Sequence, residues 1–402
     1  MNHKNINLKN WRLSLIACNL LVIVGFVAQV NALELDEIKS LFKQAHLVSG
    51  PELVDCTLSA GSETTCVQIT VKPIPKTYTP GPWCPERISD TAEGGGIWLD
   101  GKQVHDVTGS FIENLDSFYS DPNWQLFDKE TGKIFVTDTL EKCAGAAKPD
   151  VDPEYQQHCV ECQLSYLDDN ASVTYTIPVS PIVVDQISQT RRSGAGVAFN
   201  GVRLDGPAPV SDILGNYTLA PFDDCGGHIN LNVGYHYHAA TDCLKDTAHA
   251  SDHATDKGNV IGLAMDGHFI HAHELNDGTL PQDLDQCGGH APEGIAYHYH
   301  AGEQGGNEIL ACLVAEHGCV SSDGGACNAS ANTRPAGAPR LGNGSAVRGG
   351  KGGPDFSAAA EKLGVSETQL KRALGGPPPN FQAASKALGV TIEDLQNALG
   401  RP

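Results

Sequence analysis

The chain has 402 residues, with 48 acidic against 27 basic side chains and a formal charge of −21. Such an excess of negative charge argues against nucleic acid or an anionic membrane surface as a partner, because both repel a polyanion. It fits solubility in a salty exterior, and the length allows two or three domains at the usual ~100–200 residues each.

The N-terminus assigns the compartment. Lys4, Lys9 and Arg12 form a positive region, Leu13 to Ala28 is apolar apart from short polar residues, and Val30-Asn31-Ala32 offers small side chains to a peptidase. This is the layout of a secretory signal peptide over residues 1–32. The apolar run is shorter than the ~20 residues a membrane span needs. Leu15-Ile16-Ala17-Cys18 looks like a lipoprotein box but precedes the apolar run, which argues against lipidation. Cleavage after Ala32 removes basic residues but no acidic ones, so the mature chain is more negative still. The expected location is periplasmic or secreted, with no membrane span left after cleavage.

Twelve cysteines remain in the mature chain: Cys56, Cys66, Cys84, Cys143, Cys159, Cys162, Cys225, Cys243, Cys287, Cys312, Cys319 and Cys327. An even count in an exported chain reads as disulfides, with the connectivity open. Cys159 and Cys162 have redox-motif spacing, yet no βαβ pattern surrounds them, so a structural bridge is expected rather than thiol exchange. An oxidising compartment also disfavours thiolate metal ligands.

In chain order, Leu35, Ile38, Leu41 and Phe42 have helical spacing and predict a short helix over Glu34 to Gln44. It leads a β-rich region over residues 33–180. Thr65 to Val71 and Ser172 to Ile177 alternate with period two, and Gly95 to Asp106 reads as two strands about an Asp100-Gly101 turn. Ala198 to Leu204 repeats that shape about Asn200-Gly201, a strong hairpin signal. Helical periodicity is scarce between residues 50 and 320. The predicted fold class is mainly β, a sandwich or small sheets with long loops and disulfide links, followed by a C-terminal pair of small α-helical hairpins.

Residues 321–353 are rich in Gly, Ala, Ser and Asn, nearly devoid of bulky apolar side chains, and read as a flexible linker. Over residues 354–402, a unit beginning Pro354-Asp355-Phe356 recurs at Pro379-Asn380-Phe381. Ser366 to Gln369 and Thr391 to Asp394 are capping patterns, Leu370/Leu374 and Leu395/Leu399 line one face, and Gly375 or Gly400 ends the helix. Each of these two repeats reads as a helical hairpin, suited to binding a protein partner.

The chemistry concentrates in residues 223–300. Cys225-Gly226-Gly227-His228 is followed by Tyr235-His236-Tyr237-His238, and Cys287-Gly288-Gly289-His290 by Tyr297-His298-Tyr299-His300 at an identical interval. Twelve of the fifteen mature histidines lie between His228 and His317, which favours a shared role over chance. On a strand, alternate side chains share a face, so His236 and His238 point one way and the tyrosines the other, into the core. Imidazoles at i and i+2 can converge on one ion, and His228 arrives from a turn that Cys225 would pin if bridged. The expected metal ligands are therefore His228, His236, His238, His290, His298 and His300, in one site per copy or one site shared between the copies. Three imidazoles without a carboxylate suit a transition metal, copper or zinc, better than calcium or magnesium.

Between the copies, Ile261 to Glu274 reads as a hairpin turning at Asp266-Gly267. His271 and His273 share a strand face there, with His249 and His253 upstream, and Asp266 is a third lesser candidate ligand. Asp266 or Glu274 could fix a ligand's tautomer or act as a base, although Asp-Gly is more simply a turn.

These runs, with Gly262-x-Ala264-x-Asp266-Gly267, the upstream Gly196 to Val202 hairpin and Asp205-Gly206-Pro207-Ala208, resemble the YHYH-domain family of exported proteins over about residues 180–320. A YHYH-type domain at 181–320 is the boundary this implies. The family's reaction is not characterised, and the resemblance implies secretion and a metal site. This chain departs where members tend to carry an apolar residue and Pro-Ile-Tyr-Gly after the central Asp-Gly; here stands His268-Phe269-Ile270-His271-Ala272-His273, which could add ligands. The expected function is extracytoplasmic transition-metal binding through two His₃ sets. A metal-dependent hydrolase or oxidase is the first alternative, and a structural or adhesion protein without metal the second. Neither a Gly-x-Ser-x-Gly elbow nor a His-Glu-x-x-His helix is present, which moves weight to binding.

Overall fold

The computed structural model describes residues 35–148, 150–190, 194–245, 258–321, 325–332, 356–365, 370, 373–374 and 381–399. The signal-peptide expectation, His249, His253, most of the expected linker and the Ser366 to Gln369 cap lie outside these residues. The N-terminal helix is present as Leu35–Leu41, continued by a 3₁₀ turn at Phe42–Gln44, and buries Ile38, Leu41 and Phe42.

The body is β-rich, as its alternating sequence requires. Strands β1 (Leu47–Thr57) and β2 (Glu63–Val71) form a hairpin, and β3 (Ile97–Leu99) pairs with β4 (Val104–Asp106) about the expected turn. β5 (Val173–Pro178) lies along β2, and β6 (Val183–Gln189) follows it. Eight strands then make one sheet: β7 (Gly196–Ala198), β8 (Arg203–Leu204), β9 (Gly227–Asn230), β10 (Gly234–Tyr237), β11 (Gly258–Ala264), β12 (Phe269–Leu275), β13 (Gly289–His290) and β14 (His298–His300). Their spatial order is β13-β14-β12-β11-β7-β8-β10-β9. β15 (Cys312–Ala315) pairs with β6, and β16 (Cys319–Ser321) completes the order β1-β2-β5-β16.

Side chains from both larger sheets share one core, where Val67, Ile69 and Tyr175 join Phe199, Leu204, Tyr235, Tyr237 and Tyr299. A second core gathers Trp98, Leu115, Trp124 and Phe222. Around it lie short helices that periodicity does not reveal, among them Gly109–Glu113, Leu115–Phe118, Leu140–Ala146 and Val210–Gly215. With so few residues each, they span too few turns to show a repeat. Only caps announce two of them: Thr108 Oγ1 accepts from Phe111 N at 3.0 Å and Thr139 Oγ1 from Lys142 N at 3.3 Å.

All twelve expected cysteines are bridged, as Cys56–Cys66, Cys84–Cys159, Cys143–Cys162, Cys225–Cys243, Cys287–Cys312 and Cys319–Cys327. Cys159 and Cys162 thus go to different partners, which rules out a disulfide between them. The start of the expected linker also differs from its composition. The Cys319–Cys327 bridge and a Thr57 N to Cys327 O hydrogen bond of 3.0 Å hold it to β1, and Ala329 is buried there. The C-terminal helices Phe356–Leu363, Phe381–Leu388 and Ile392–Ala398 share a separate small core around Leu370, Leu374, Leu395 and Leu399. Thr391 caps the last of them, its Oγ1 accepting from Asp394 N at 3.0 Å.

The eight-stranded sheet is an internal duplication. Gly196-Val197-Ala198-Phe199-Asn200-Gly201 and Gly262-Leu263-Ala264-Met265-Asp266-Gly267 are counterparts in its two halves. β7 and β11 pair antiparallel with Gly196 opposite Ala264, Val197 opposite Leu263 and Ala198 opposite Gly262. Exchanging every residue for its counterpart leaves this pairing unchanged, which places a local two-fold axis through the Val197/Leu263 pair. β8 lies parallel to β10 with Leu204 opposite Tyr237, and β12 lies parallel to β14 with Ile270 opposite Tyr299. His228 faces His236, and His290 faces His298. Such an axis preserves the faces of the sheet, so both histidine sets lie on one face and the tyrosines on the other.

Candidate metal centres

Each Cys-Gly-Gly-His turn is assembled around one carboxylate. Asp223 Oδ1 accepts from Cys225 N and Gly227 N, both at 3.1 Å, and Asp285 Oδ1 accepts from Cys287 N at 2.8 Å and Gly289 N at 3.1 Å. Tyr235 and Tyr297 each donate to the same aspartate, at 2.8 Å in both copies. The first glycine of each pair has positive φ, +78° at Gly226 and +80° at Gly288, a conformation that costs other residues energy. The second leaves room for the tyrosine ring, which a Cβ at Gly227 or Gly289 would strike. Burial pushes the Asp223 carboxyl up to about 6 against the pull of these donors.

The strand pairing then brings the histidines together. In the first cluster one ring nitrogen each of His228, His236 and His238 lies within 4.8 Å of the others. In the second cluster the same limit holds for His271, His298 and His300. His290 stands beside this group, its Nε2 3.1 Å from His298 Nε2. The first group brings together the three histidines expected from sequence; the second has His271 in place of the expected His290, because β12 rather than a neighbouring loop runs beside β14. His273 stands outside the cluster, half-buried with its Nδ1 on Ala301 O at 2.9 Å. Asp266 is fully buried, accepting from Tyr299 at 2.6 Å and Ala315 N at 3.2 Å, so its role is to hold the turn and the strand.

The ring nitrogens are oriented. Nδ1 meets a backbone carbonyl in His236 (Gly234, 2.9 Å), His238 (Gly206, 2.7 Å), His290 (Gln282, 2.9 Å), His298 (Ala296, 2.9 Å) and His300 (Ala272, 3.0 Å). A carbonyl only accepts, so Nδ1 carries the proton and a neutral ring presents its lone pair at Nε2. Carbonyl support of the distal nitrogen is the usual way a metal-binding imidazole is held. Burial keeps His228 and His238 well below the ordinary imidazole range, with neighbouring rings pushing the same way, and lowers His236 as well. All three are therefore neutral at pH 7 and able to donate an electron pair.

The clusters differ at one position. By register Asp205 is the counterpart of His271, and Arg203 that of Phe269. Asp205 is held by Arg203 at 2.9 Å and by Gly206 N at 2.9 Å, outside the group of converging nitrogens. Sequence reasoning passed over this pair; aligning the two Gly-x-Ala-x-Asn/Asp-Gly hairpins would have found it. The first cluster also opens into a cavity of about 420 Å³ lined by all three histidines, Arg203, Trp83 and Ile213. At the second, a surface groove of about 500 Å³ reaches only His290. Four strands separate β10 from β14, so at ~4.8 Å per strand the clusters stand roughly 24 Å apart along the sheet. They are two sites.

Residues 174–279 match a family model described as YHYH protein. The match takes in the first copy and the β11–β12 hairpin and stops before the second Cys-Gly-Gly-His turn. No curated protein and no solved structure matches the chain. Among the described residues, no helix is long and apolar enough to cross a membrane.

Proposed function

We propose that the two clusters bind a transition metal, copper or zinc, and that the protein captures, buffers or presents that metal outside the cytoplasm. One observation carries the reading. His290 Nε2 and His298 Nε2 approach to 3.1 Å while both Nδ1 atoms are committed to carbonyls. Two lone pairs repel at that distance unless a metal ion lies between them or one ring is protonated and donates an N–H···N bond, and of the two the metal ion is the one proposed here. Two ligands on a tetrahedral ion at ~2.0–2.1 Å stand roughly 3.3 Å apart, close to the separation found. Imidazole sets free of carboxylate favour copper or zinc over calcium or magnesium. Six disulfides support an oxidising, extracytoplasmic location.

The test is metal content by mass spectrometry on the purified full chain after loading with zinc or copper(I). Two equivalents are expected, one after His236→Ala/His238→Ala, one after His298→Ala/His300→Ala, and none in the quadruple variant. A wild-type chain that retains no metal and melts unchanged with and without chelator would overturn the reading.

A further inference from the structure

The two clusters have the same backbone plan but different completion, and this difference extends the metal reading, on which the following rests. We propose that the first cluster leaves one position of its metal open to the cavity, and that a small organic molecule with an apolar body and one anionic oxygen, a phenolate or a carboxylate, ligates it there.

Ligand count is the first ground. Each group of mutually close ring nitrogens has three members, but beside the second His290 Nε2 stands 3.1 Å from His298 Nε2, so a fourth imidazole is at hand there and, among the described residues, none is at the first. Its fourth candidate, Asp205, is turned aside by Arg203. Space is the second ground. A volume of about 420 Å³ adjoins all three histidines and falls within the range of small-molecule sites. Trp83, Val151, Val160 and Ile213 give its wall an apolar character that suits an organic body better than a bare inorganic ion. Charge is the third. Three neutral imidazoles leave the charge of a divalent ion uncompensated; on the same wall Arg203 is paired with Asp205 and Lys148 with Asp152, and Glu161 and Asp212 are also present, so the metal itself is the charge that draws an anionic donor. An anionic oxygen is therefore the donor best matched to the open position. The second cluster lacks these features: only His290 reaches the surface groove, and Phe269 and His271 replace the Arg203–Asp205 pair.

Cobalt(II) tests this, because its visible spectrum reports coordination. The full chain carrying His298→Ala/His300→Ala keeps the first cluster alone, and His236→Ala/His238→Ala keeps the second. Each is loaded with cobalt, assayed for bound metal, and titrated separately with benzoate and azide. Benzoate and azide are expected to shift the first-cluster spectrum saturably and to leave the second-cluster spectrum unchanged. Ile213→Trp should weaken benzoate about tenfold or more while leaving azide and cobalt content as they were. If that variant does not fold, competition of benzoate against azide at the unmodified first cluster reads the same contrast. Equal responses at both clusters, or an azide shift without a benzoate shift at the first, would overturn the proposal and leave the metal reading standing. Absence of cobalt from both clusters removes the metal reading and this proposal together.

Discussion

In the first half of the eight-stranded sheet, Arg203 and Asp205 pair with each other beside three histidines; in the second half, Phe269 and His271 occupy the same places and His271 joins the cluster. Beneath these positions the two halves share the aspartate that ties the turn, the tyrosine that donates to it, and the carbonyls of Gly206 and Ala272 that hold His238 and His300. Asn200 and Asp266 hold the equivalent hydroxyls in opposite senses, Asn200 Nδ2 donating to Tyr237 at 2.8 Å and Asp266 accepting from Tyr299 at 2.6 Å. The comparison teaches that the scaffold sets where imidazoles converge, while a single side chain on the parallel neighbour sets whether one more imidazole joins them.

Four experiments sharpen or break it. Removing the ligands should have the largest effect. With metal at about a thousand times its dissociation constant, each site contributes about 4 kcal/mol, so His236→Ala and His298→Ala should each lower the holo-protein's unfolding free energy by about that much more than they lower the apo-protein's. Chemical denaturation with and without chelator measures both. Next come the bridges. Cys225–Cys243 and Cys287–Cys312 close loops with sequence separations of 18 and 25. Loop length alone then predicts about 3 kcal/mol for Cys→Ser pairs in either copy. A much larger loss in one copy would show that its bridge also holds the metal turn.

The hydroxyls come third. Tyr235 is buried and Tyr297 only half so, and each donates to its aspartate. Tyr235→Phe should cost about 1–3 kcal/mol by leaving buried partners unsatisfied, and Tyr297→Phe less than about 1 kcal/mol. Equal losses in urea denaturation would contradict the asymmetry in burial. The exchange Arg203→Phe with Asp205→His should change stability least. It is expected to tighten metal at the first cluster by about tenfold or more and to abolish its response to benzoate, both read by cobalt titration.

Much of this was legible in the sequence, for reasons of local geometry. Period-two alternation assigned His236 and His238 to one face and Tyr235 and Tyr237 to the other, and the Asn200-Gly201 and Asp266-Gly267 turns placed the hairpins. The disulfide count followed from an even number of cysteines. What was not legible depends on contacts far apart in the chain. That β14 lies beside β12 cannot be read from either strand, so His271 looked like a lesser candidate and Asp205 entered only through the family resemblance. The second set was expected as His290, His298 and His300 alone. Pairing of the cysteines was hidden for the same reason, and the short helices fell below the length at which a helical repeat shows.

The two-fold axis through Val197 and Leu263 has a further consequence. Its antiparallel pairing is self-complementary, the arrangement found where two identical subunits meet about a dyad. In a dimer of identical chains, a substitution at the position of Asp205 would appear at both sites at once. Carrying both halves on one polypeptide lifts that constraint: one half can trade aspartate for histidine and add an imidazole to its site while the other keeps the opening.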